Sequence, residues 1–159
     1  MNMELYAYLG GALSIGLGAI GAGYGIGMAA SEATKAITRQ PNASGKITKV
    51  MLVGQAVTES PAIFALLIAL FLVFKVYHVP EQITLANIAG LLAAGICMGF
   101  GAMGPGVGSG MANASACTGM GVQPENENAI MRTMLIGQAV SQSTSVYALV
   151  ISMLLLFVI

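Results

Sequence analysis

The sequence predicts an all-α membrane protein with four transmembrane helices, arranged as two tandemly duplicated helical hairpins. Three observations lead there: the composition, four long apolar segments and an internal repeat. Of the 159 residues, 57% are hydrophobic and 8% are charged. Soluble domains carry about a quarter charged residues, so this composition favours a membrane protein. The net charge of zero gives no electrostatic basis for binding nucleic acid.

The four apolar segments cover residues 5–30, 50–74, 83–116 and 134–159. A helix of about 20 residues crosses a hydrocarbon core of about 30 Å. Only helices and closed barrels satisfy the backbone in lipid, and these segments lack the alternation of barrel strands. The N-terminus before the first segment has no positive stretch and carries Glu4, so we expect this segment to stay in the mature protein.

Polar breaks at residues 39–45, 75–82 and 121–126 separate the segments. Basic residues collect beside the first and third breaks, whereas only Lys75 lies near the middle one; the five are Lys35, Arg39, Lys46, Lys49 and Arg132. The positive-inside rule then predicts that the turns near residues 40 and 123 are cytoplasmic and that both termini lie outside the plasma membrane.

An internal repeat with an offset of 83 residues relates the two halves, predicting one hairpin over residues 1–79 and another over 80–159. The glycine-rich segment Gly16–Gly21 falls on Gly99–Gly104 without a gap. The same offset superposes Gln40-Pro41 on Gln123-Pro124, and residues 54–57 on residues 137–140. So many matches at one offset indicate a duplicated helical hairpin.

Glycines dominate the first and third segments. Both contain G-x-G-x-x-G, but no strand precedes it, so we do not interpret it as a dinucleotide fingerprint. Small residues let membrane helices approach closely, and Gly21/Gly25 and Gly23/Gly27 each share a helix face. We therefore expect the first and third helices to pack tightly against like helices, either in a ring or in a compact monomeric bundle.

Glu59 is the one charged residue deep inside a predicted span. An intramembrane carboxylate is costly and marks a functional site by default, although a structural hydrogen-bond partner is the alternative. Gln55, Thr58 and Ser60 could assist it. Pro61 lacks an N–H, so the carbonyl of Val57 loses its helical donor. We expect this carbonyl to serve as an oxygen ligand beside Glu59, which would hold a proton or an alkali cation; a simple helix kink is the alternative.

The second hairpin has no carboxylate at the equivalent position. Gln142 stands there and cannot ionise, and its neighbours are polar but uncharged: Ser141, Ser143, Thr144 and Tyr147. The sequence therefore predicts one ionisable site for each pair of hairpins.

These residues together resemble the proteolipid c subunits of rotary ATP synthases and ATPases. Arg39-Gln40-Pro41 resembles the polar loop of F-type c subunits, and residues 21–27 followed by 54–60 resemble their ion site. The second half is similar in residues 104–110 and 137–147, but Val122 replaces the loop arginine. The duplicated form with one carboxylate is more similar to V-type proteolipids.

The resemblance implies a function without catalysis on this chain. Such subunits form a homo- or hetero-oligomeric c-ring among membrane lipids. The ring turns against a stator a subunit and contacts the central stalk through its polar loops, here Arg39, Gln40, Pro41, Gln123 and Pro124. Glu59 would carry H⁺ or Na⁺, and no other cofactor is implied. One ion for two hairpins would lower the number of ions moved per ATP.

The resemblance also leaves the ion open. Sodium-type members supply an inner-helix Gln, a carbonyl, a Ser, a Thr and a Tyr. In the second half these positions hold Ser109, Val140, Ser143, Thr144 and Tyr147, whereas the first half has Ile26, Val57, Ser60, Pro61 and Phe64. The alternative function is a structural or pore-forming proteolipid in which Glu59 is only an interhelical hydrogen-bond partner. A transporter is a third candidate, but this layout offers no roomy substrate site.

Overall fold

The computed structural model describes residues 3–75 and 84–157, which form four long helices joined in pairs by short turns. α1 (Met3–Arg39) and α2 (Ser44–Lys75) flank a 3₁₀ turn, and α3 (Leu85–Val122) and α4 (Glu127–Phe157) flank another. All four are long and apolar enough to cross a membrane, which confirms the predicted all-α membrane fold. The predicted boundary between residues 79 and 80 lies outside the described residues.

The helices are longer than the apolar segments that predicted them. α1 ends at Arg39 rather than near residue 30, α2 begins at Ser44 rather than at residue 50, and α4 begins at Glu127 rather than at residue 134. The predicted turns were therefore too wide, because Gly45 and Gly121 are helical. Hydropathy marks only the lipid-facing part of a helix. At about 1.5 Å per residue, α1 extends for about 55 Å and so reaches beyond that part.

The helices are arranged in two layers. α1 and α3 lie side by side with the most extensive contact of any described helix pair. α2 packs against both of them, whereas α4 packs mainly on α3 and contacts α2 over a smaller area. Glycine-rich helices therefore form one layer and the helices that carry Glu59 and Gln142 form the other.

Glycine on both helices brings the backbones of α1 and α3 together. A Cβ added at Gly110 would fall on the backbone of Gly25, and one added at Gly106 would lie 2.7 Å from the backbone of Gly21. At the other end of the layer, a Cβ at Gly10 would lie 2.6 Å from the carbonyl oxygen of Leu91. The predicted tight packing of the first and third helices is confirmed, and no side chain fits between them at these levels.

The matching glycines on the outer sides of this layer face open space. The repeat offset relates Gly23 and Gly27 of α1 to Gly106 and Gly110, which are packed. A Cβ at Gly23 or at Gly27 would meet nothing within 4 Å, and the same holds at Gly104, the counterpart of the packed Gly21. Each hairpin thus has one glycine face that packs within the chain and one that remains uncovered.

Two apolar clusters fill the space between the layers at opposite ends. The cluster near the two described turns includes Ile47, Val50 and Met120. The other includes Ile68, Leu72, Met98 and other side chains of all four helices. A group of polar residues is buried between these clusters: Thr58, Ser109, Asn113 and Gln138.

The glycine contact makes a testable prediction about stability. Gly110→Ala should destabilise the chain in detergent micelles by about 1–3 kcal/mol, because its Cβ overlaps the backbone of Gly25. Gly137→Ala is the matched helical control, since its Cβ would lie 4.0 Å from Ala112. Reversible unfolding in mixed detergent micelles measures both, and equal stability of the two variants would contradict the packing described here.

Candidate ion-binding site

A layer of buried polar side chains joins the two hairpins between the apolar clusters. Thr58 of α2, Ser109 and Asn113 of α3, and Gln138 of α4 are all 0% exposed. Asn113 Nδ2 donates a hydrogen bond to the Met51 carbonyl at 3.0 Å, across the hairpin interface. In lipid a buried polar group without a partner costs several kcal/mol, so such bonds fix how the hairpins pair.

Gln138 is at the centre of this layer. Its Nε2 donates to the carbonyls of Gly54 and Ser109, each at 3.0 Å, and lies 3.2 Å from Thr58 Oγ1. Thr58 Oγ1 in turn donates to the Gly54 carbonyl at 2.8 Å. Gln138 Oε1 is buried without a hydrogen-bond partner among the described residues. One amide therefore ties α4 to both α2 and α3.

Gln142, one turn further along α4, contacts the carbonyl that Pro61 frees. Its Nε2 donates to the Val57 carbonyl at 2.9 Å and lies 3.4 Å from Ser109 Oγ. The predicted freed carbonyl at Val57 is thus used inside the chain, and its partner is the side chain that replaces the carboxylate in the repeat.

Glu59 faces the other way. Val57 and Glu59 are two residues apart, so they are rotated by about 200° around the helix. Val57 is directed at α4, whereas Glu59 is exposed and receives no hydrogen bond from residues 3–75 or 84–157. Gln55, one turn before it, donates to the Ile26 carbonyl of α1 at 3.3 Å. The repeat offset relates this bond to the one between Gln138 and the Ser109 carbonyl.

The remaining predicted ion-site residues divide between two faces. Val140 is 69% and Tyr147 66% exposed on the uncovered side of α4. Ser143 and Thr144, which precede Tyr147 there, donate to carbonyls of their own helix at 2.7 and 3.0 Å. Ser60, on α2, is half-buried. A single chain therefore does not bring Glu59 together with Val140, Ser143, Thr144 and Tyr147.

The loop residues predicted to contact a stalk all lie at one end of the fold. Arg39 and Pro41 are exposed at the first turn, and Gln123 is exposed at the second. Gln40 and Pro124, beside them, are half-buried. Ion pairs link the hairpins near this end: Glu127 accepts from Lys49 at 2.8 Å and lies 3.9 Å from Lys46. Exposed pairs contribute about 0–1 kcal/mol each, so the buried polar layer matters more for pairing.

Sequence reasoning missed Gln138 and Asn113 as junction residues. Gln138 had a signal, because the repeat superposes it on Gln55 beside Glu59. Asn113 had none, since its repeat counterpart is Ala30 and nothing in the sequence points to the Met51 carbonyl.

Comparison with known proteins decides the family. The family model for the C subunit of ATP synthase matches twice, over residues 9–72 and 92–155, which are the two hairpins. The chain belongs to the family of ATP synthase C subunits.

Its relatives are named as c subunits of ATP synthase. One from Clostridium botulinum (strain Hall) is 43% identical over 79 residues, which are 100% of that protein but 46% of this chain. One from Petrotoga mobilis is 48% identical over 68 residues, covering 71% of that protein and 43% of this chain. One from Mesomycoplasma hyopneumoniae (strain 7448) is 44% identical over 73 residues, covering 71% of its length and 46% of this chain.

The c subunit is a non-catalytic, multi-pass membrane protein of ATP synthase, and it belongs to the rotor ring of that complex. The Clostridium botulinum relative matches this chain over its whole length, yet covers less than half of it. The chain is therefore a duplicated c subunit, and each of its hairpins corresponds to one unit of the family.

The polar layer generates a prediction about hairpin pairing. Gln138→Met keeps the length of the side chain but removes the amide that donates to the Gly54 and Ser109 carbonyls, at a cost of about 1–3 kcal/mol. Gln55→Met is the matched control, because the repeat-related Gln55 loses a single bond of 3.3 Å. Unfolding in mixed micelles should show a clearly larger loss for Gln138→Met, and equal losses would exclude a special role for Gln138.

Proposed function

We propose that each chain carries one ion on Glu59, and that the site is completed by the neighbouring subunit of the ring. The observation that carries the proposal is the orientation of Glu59. Its carboxylate lies on a face of the chain that no described residue covers, while its repeat counterpart Gln142 is half-buried and bonded within the chain. We infer that the ion moves as H⁺ or Na⁺ between this face and a stator subunit.

The packing inside the chain serves as a template for packing between copies. Within the chain, Gly106 and Gly110 of the second hairpin pack against Gly21 and Gly25 of the first. Their repeat counterparts are Gly23 and Gly27 on one side and Gly104 and Gly108 on the other. A Cβ at Gly108 would meet Ser141 of its own hairpin, and a Cβ at the other three would meet no described atom within 4 Å. Docking the first hairpin of one copy on the second hairpin of the next would repeat the same contact and continue around a ring.

The same docking of one copy on the next places oxygen-bearing groups beside Glu59. Inside the chain, Gln142 contacts Val57, and the repeat converts this pair into Glu59 and Val140 of the next copy. Ser143, Thr144 and Tyr147 share that uncovered side of α4. The second hairpin, which has no carboxylate of its own, would therefore supply the oxygen atoms that complete the neighbour's site. A single-hairpin member of the family with equivalent oxygens would serve as well.

The ligand set leaves H⁺ and Na⁺ as the two candidates. Val140, Ser143, Thr144 and Tyr147 retain the positions that the resemblance assigns to sodium ligands. On the carboxylate side, the inner-helix position is Ile26, whose side chain has no oxygen, although Gln55 approaches its carbonyl. The oxygen ligands retained on α4 favour Na⁺, whereas the missing side-chain oxygen at Ile26 favours H⁺. The effect of added Na⁺ on carbodiimide labelling distinguishes the two ions.

In this proposal the ring turns because Glu59 changes partners. The carboxylate would exchange its ion at the stator a subunit and reload from the opposite side, since an uncompensated charge is costly in lipid. Gln142 would exchange nothing, so each chain moves one ion with two hairpins. Fewer ions per ATP means that hydrolysis can drive pumping against a steeper gradient.

The carbodiimide reaction of protonated carboxyl groups tests Glu59. We expect dicyclohexylcarbodiimide to modify Glu59 and no other residue of the chain in native membranes, more slowly at high pH and, if Na⁺ is the ion, more slowly with added Na⁺. Glu59→Gln should abolish both labelling and ATPase-coupled transport, because an amide neither binds H⁺ nor pairs with a cation. Glu125→Gln, in the exposed second turn, is the control.

Unlabelled Glu59, or transport that survives in Glu59→Gln, would overturn the rotor-site proposal. It would favour a structural or pore-forming proteolipid, in which the carboxyl group serves only as a hydrogen-bond partner between helices.

The basic residues favour a cytoplasmic position for the turns at Arg39 and Gln123, where they would meet the central stalk. Arg39→Ala should then uncouple ATP hydrolysis from ion transport while the ring still assembles. Val122→Ala is the control at the position where the second hairpin lacks the arginine; Val122 is 64% exposed. Coupling measured in inverted vesicles that stays intact in Arg39→Ala would remove this loop from the stalk interface.

A further inference from the structure

We propose that the contact between Gln142 and Val57 is a closed cation site, in which the side-chain amide occupies the place that a proton or an alkali cation would take between a carboxylate and the Val57 carbonyl. The inference rests on the proposed function, which defines the ion site of the ring. It goes beyond the absence of a charge at Gln142, because it assigns the amide a specific task at the freed carbonyl.

The amide nitrogen of Gln142 lies between oxygen atoms of two other helices. Gln142 Nε2 lies 2.9 Å from the Val57 carbonyl and 3.4 Å from Ser109 Oγ, so its two hydrogens face two oxygens from different helices. Pro61 removes the backbone donor that would otherwise occupy the Val57 carbonyl. Gln138 Oε1, one turn earlier on α4, is a further buried acceptor without a partner among the described residues.

A carboxylate at position 142 would need something between the oxygens. With Gln142→Glu, a carboxylate oxygen would stand about where Nε2 now stands, facing the Val57 carbonyl and Ser109 Oγ. Two acceptors cannot bond to each other, so the position would have to take up a proton, which donates to Val57, or an alkali cation that both oxygens coordinate. The amide of Gln142 supplies the hydrogens permanently and needs neither.

The consequence for a rotor is a hairpin interface that stays neutral through the whole turn. Gln142 satisfies Val57 without an ion, so this interface has nothing to release at a stator and no charge to desolvate on return to lipid. One junction per chain would therefore pass the stator without exchange, and only the junction at Glu59 would hold the ion.

Carbodiimide labelling of the assembled complex, counted by the mass of the chain, tests the proposal. The wild type should take one label, Gln142→Glu two, and Glu59→Gln with Gln142→Glu one, at position 142. High pH, or Na⁺ if Na⁺ is the ion, should slow both positions. Ile136→Glu is the control, because Ile136 is 67% exposed on the same helix and is none of the proposed ion-site residues. Its label should not respond to Pro61→Ala, which restores a backbone donor to Val57 and should weaken ion retention at position 142.

A label at position 142 that is as insensitive to Pro61→Ala as the one at position 136, or no label at position 142, would overturn the closed site. Labelling at position 142 without labelling at Glu59 would instead overturn the proposed function and leave the closed site standing.

An infrared measurement covers the case in which Gln142→Glu does not assemble. With Val57 carrying an isotope-labelled carbonyl, Gln142→Leu should move its stretching band to higher frequency, and adding Pro61→Ala should move it back. An unchanged band in Gln142→Leu would contradict the amide contact on which the proposal depends.

Discussion

The close approach of the α1 and α3 backbones is the constraint on which the rest of this structure depends. In lipid, apolar side chains gain little by leaving one apolar surrounding for another, so membrane helices associate through close packing and polar contacts. Glycines at 21, 25, 106 and 110 let the two backbones touch. That contact sets the depth of one hairpin against the other, and therefore decides which side chains of α2 and α4 come level.

Because the hairpins are held at this depth, the amides of Gln138 and Gln142 reach acceptors on the neighbouring hairpin. Their bonds to the Gly54 and Val57 carbonyls, at 3.0 and 2.9 Å, lie between two apolar clusters, where an unsatisfied polar group is costly. The exposed ion pairs of Glu127 with Lys46 and Lys49 add less. The duplication thus gives one chain an internal copy of the contact expected between neighbours in the ring, with an amide where the other carries a carboxylate.

The sequence was sufficient for the number of helices, the duplication and the tight packing of the first and third helices, because hydropathy, the 83-residue repeat and the glycines each report a local property. It misplaced the helix ends, since Ser44 and Glu127 begin helices in polar sequence that hydropathy treats as turn. It identified the freed carbonyl of Val57 but not its partner, because pairing between helices depends on their relative depth. Asn113 was missed for the same reason.

Glu59 and Gln142 occupy equivalent positions in the repeat, yet only Gln142 is bonded across the hairpins of its own chain. The two residues differ because they lie on different faces of the helices. The Val57 carbonyl that Gln142 contacts is directed into the chain, and Glu59, rotated from Val57 by about 200°, is directed out of it. The proposed ion site is consequently a property of the ring, and each chain holds two unlike halves of it, one on either side.

A density map of the intact ring in lipid, at a resolution that shows side chains, tests the central claim most directly. We expect the Glu59 carboxylate to lie within hydrogen-bond distance of the ion-site oxygens of the adjoining subunit, those of Val140 and Ser143 if that subunit is another copy. We expect at the same time that Gln142 remains on the Val57 carbonyl within each chain. A ring in which Glu59 faces lipid alone, or in which the two hairpins of one chain separate to admit an ion at Gln142, would contradict this account.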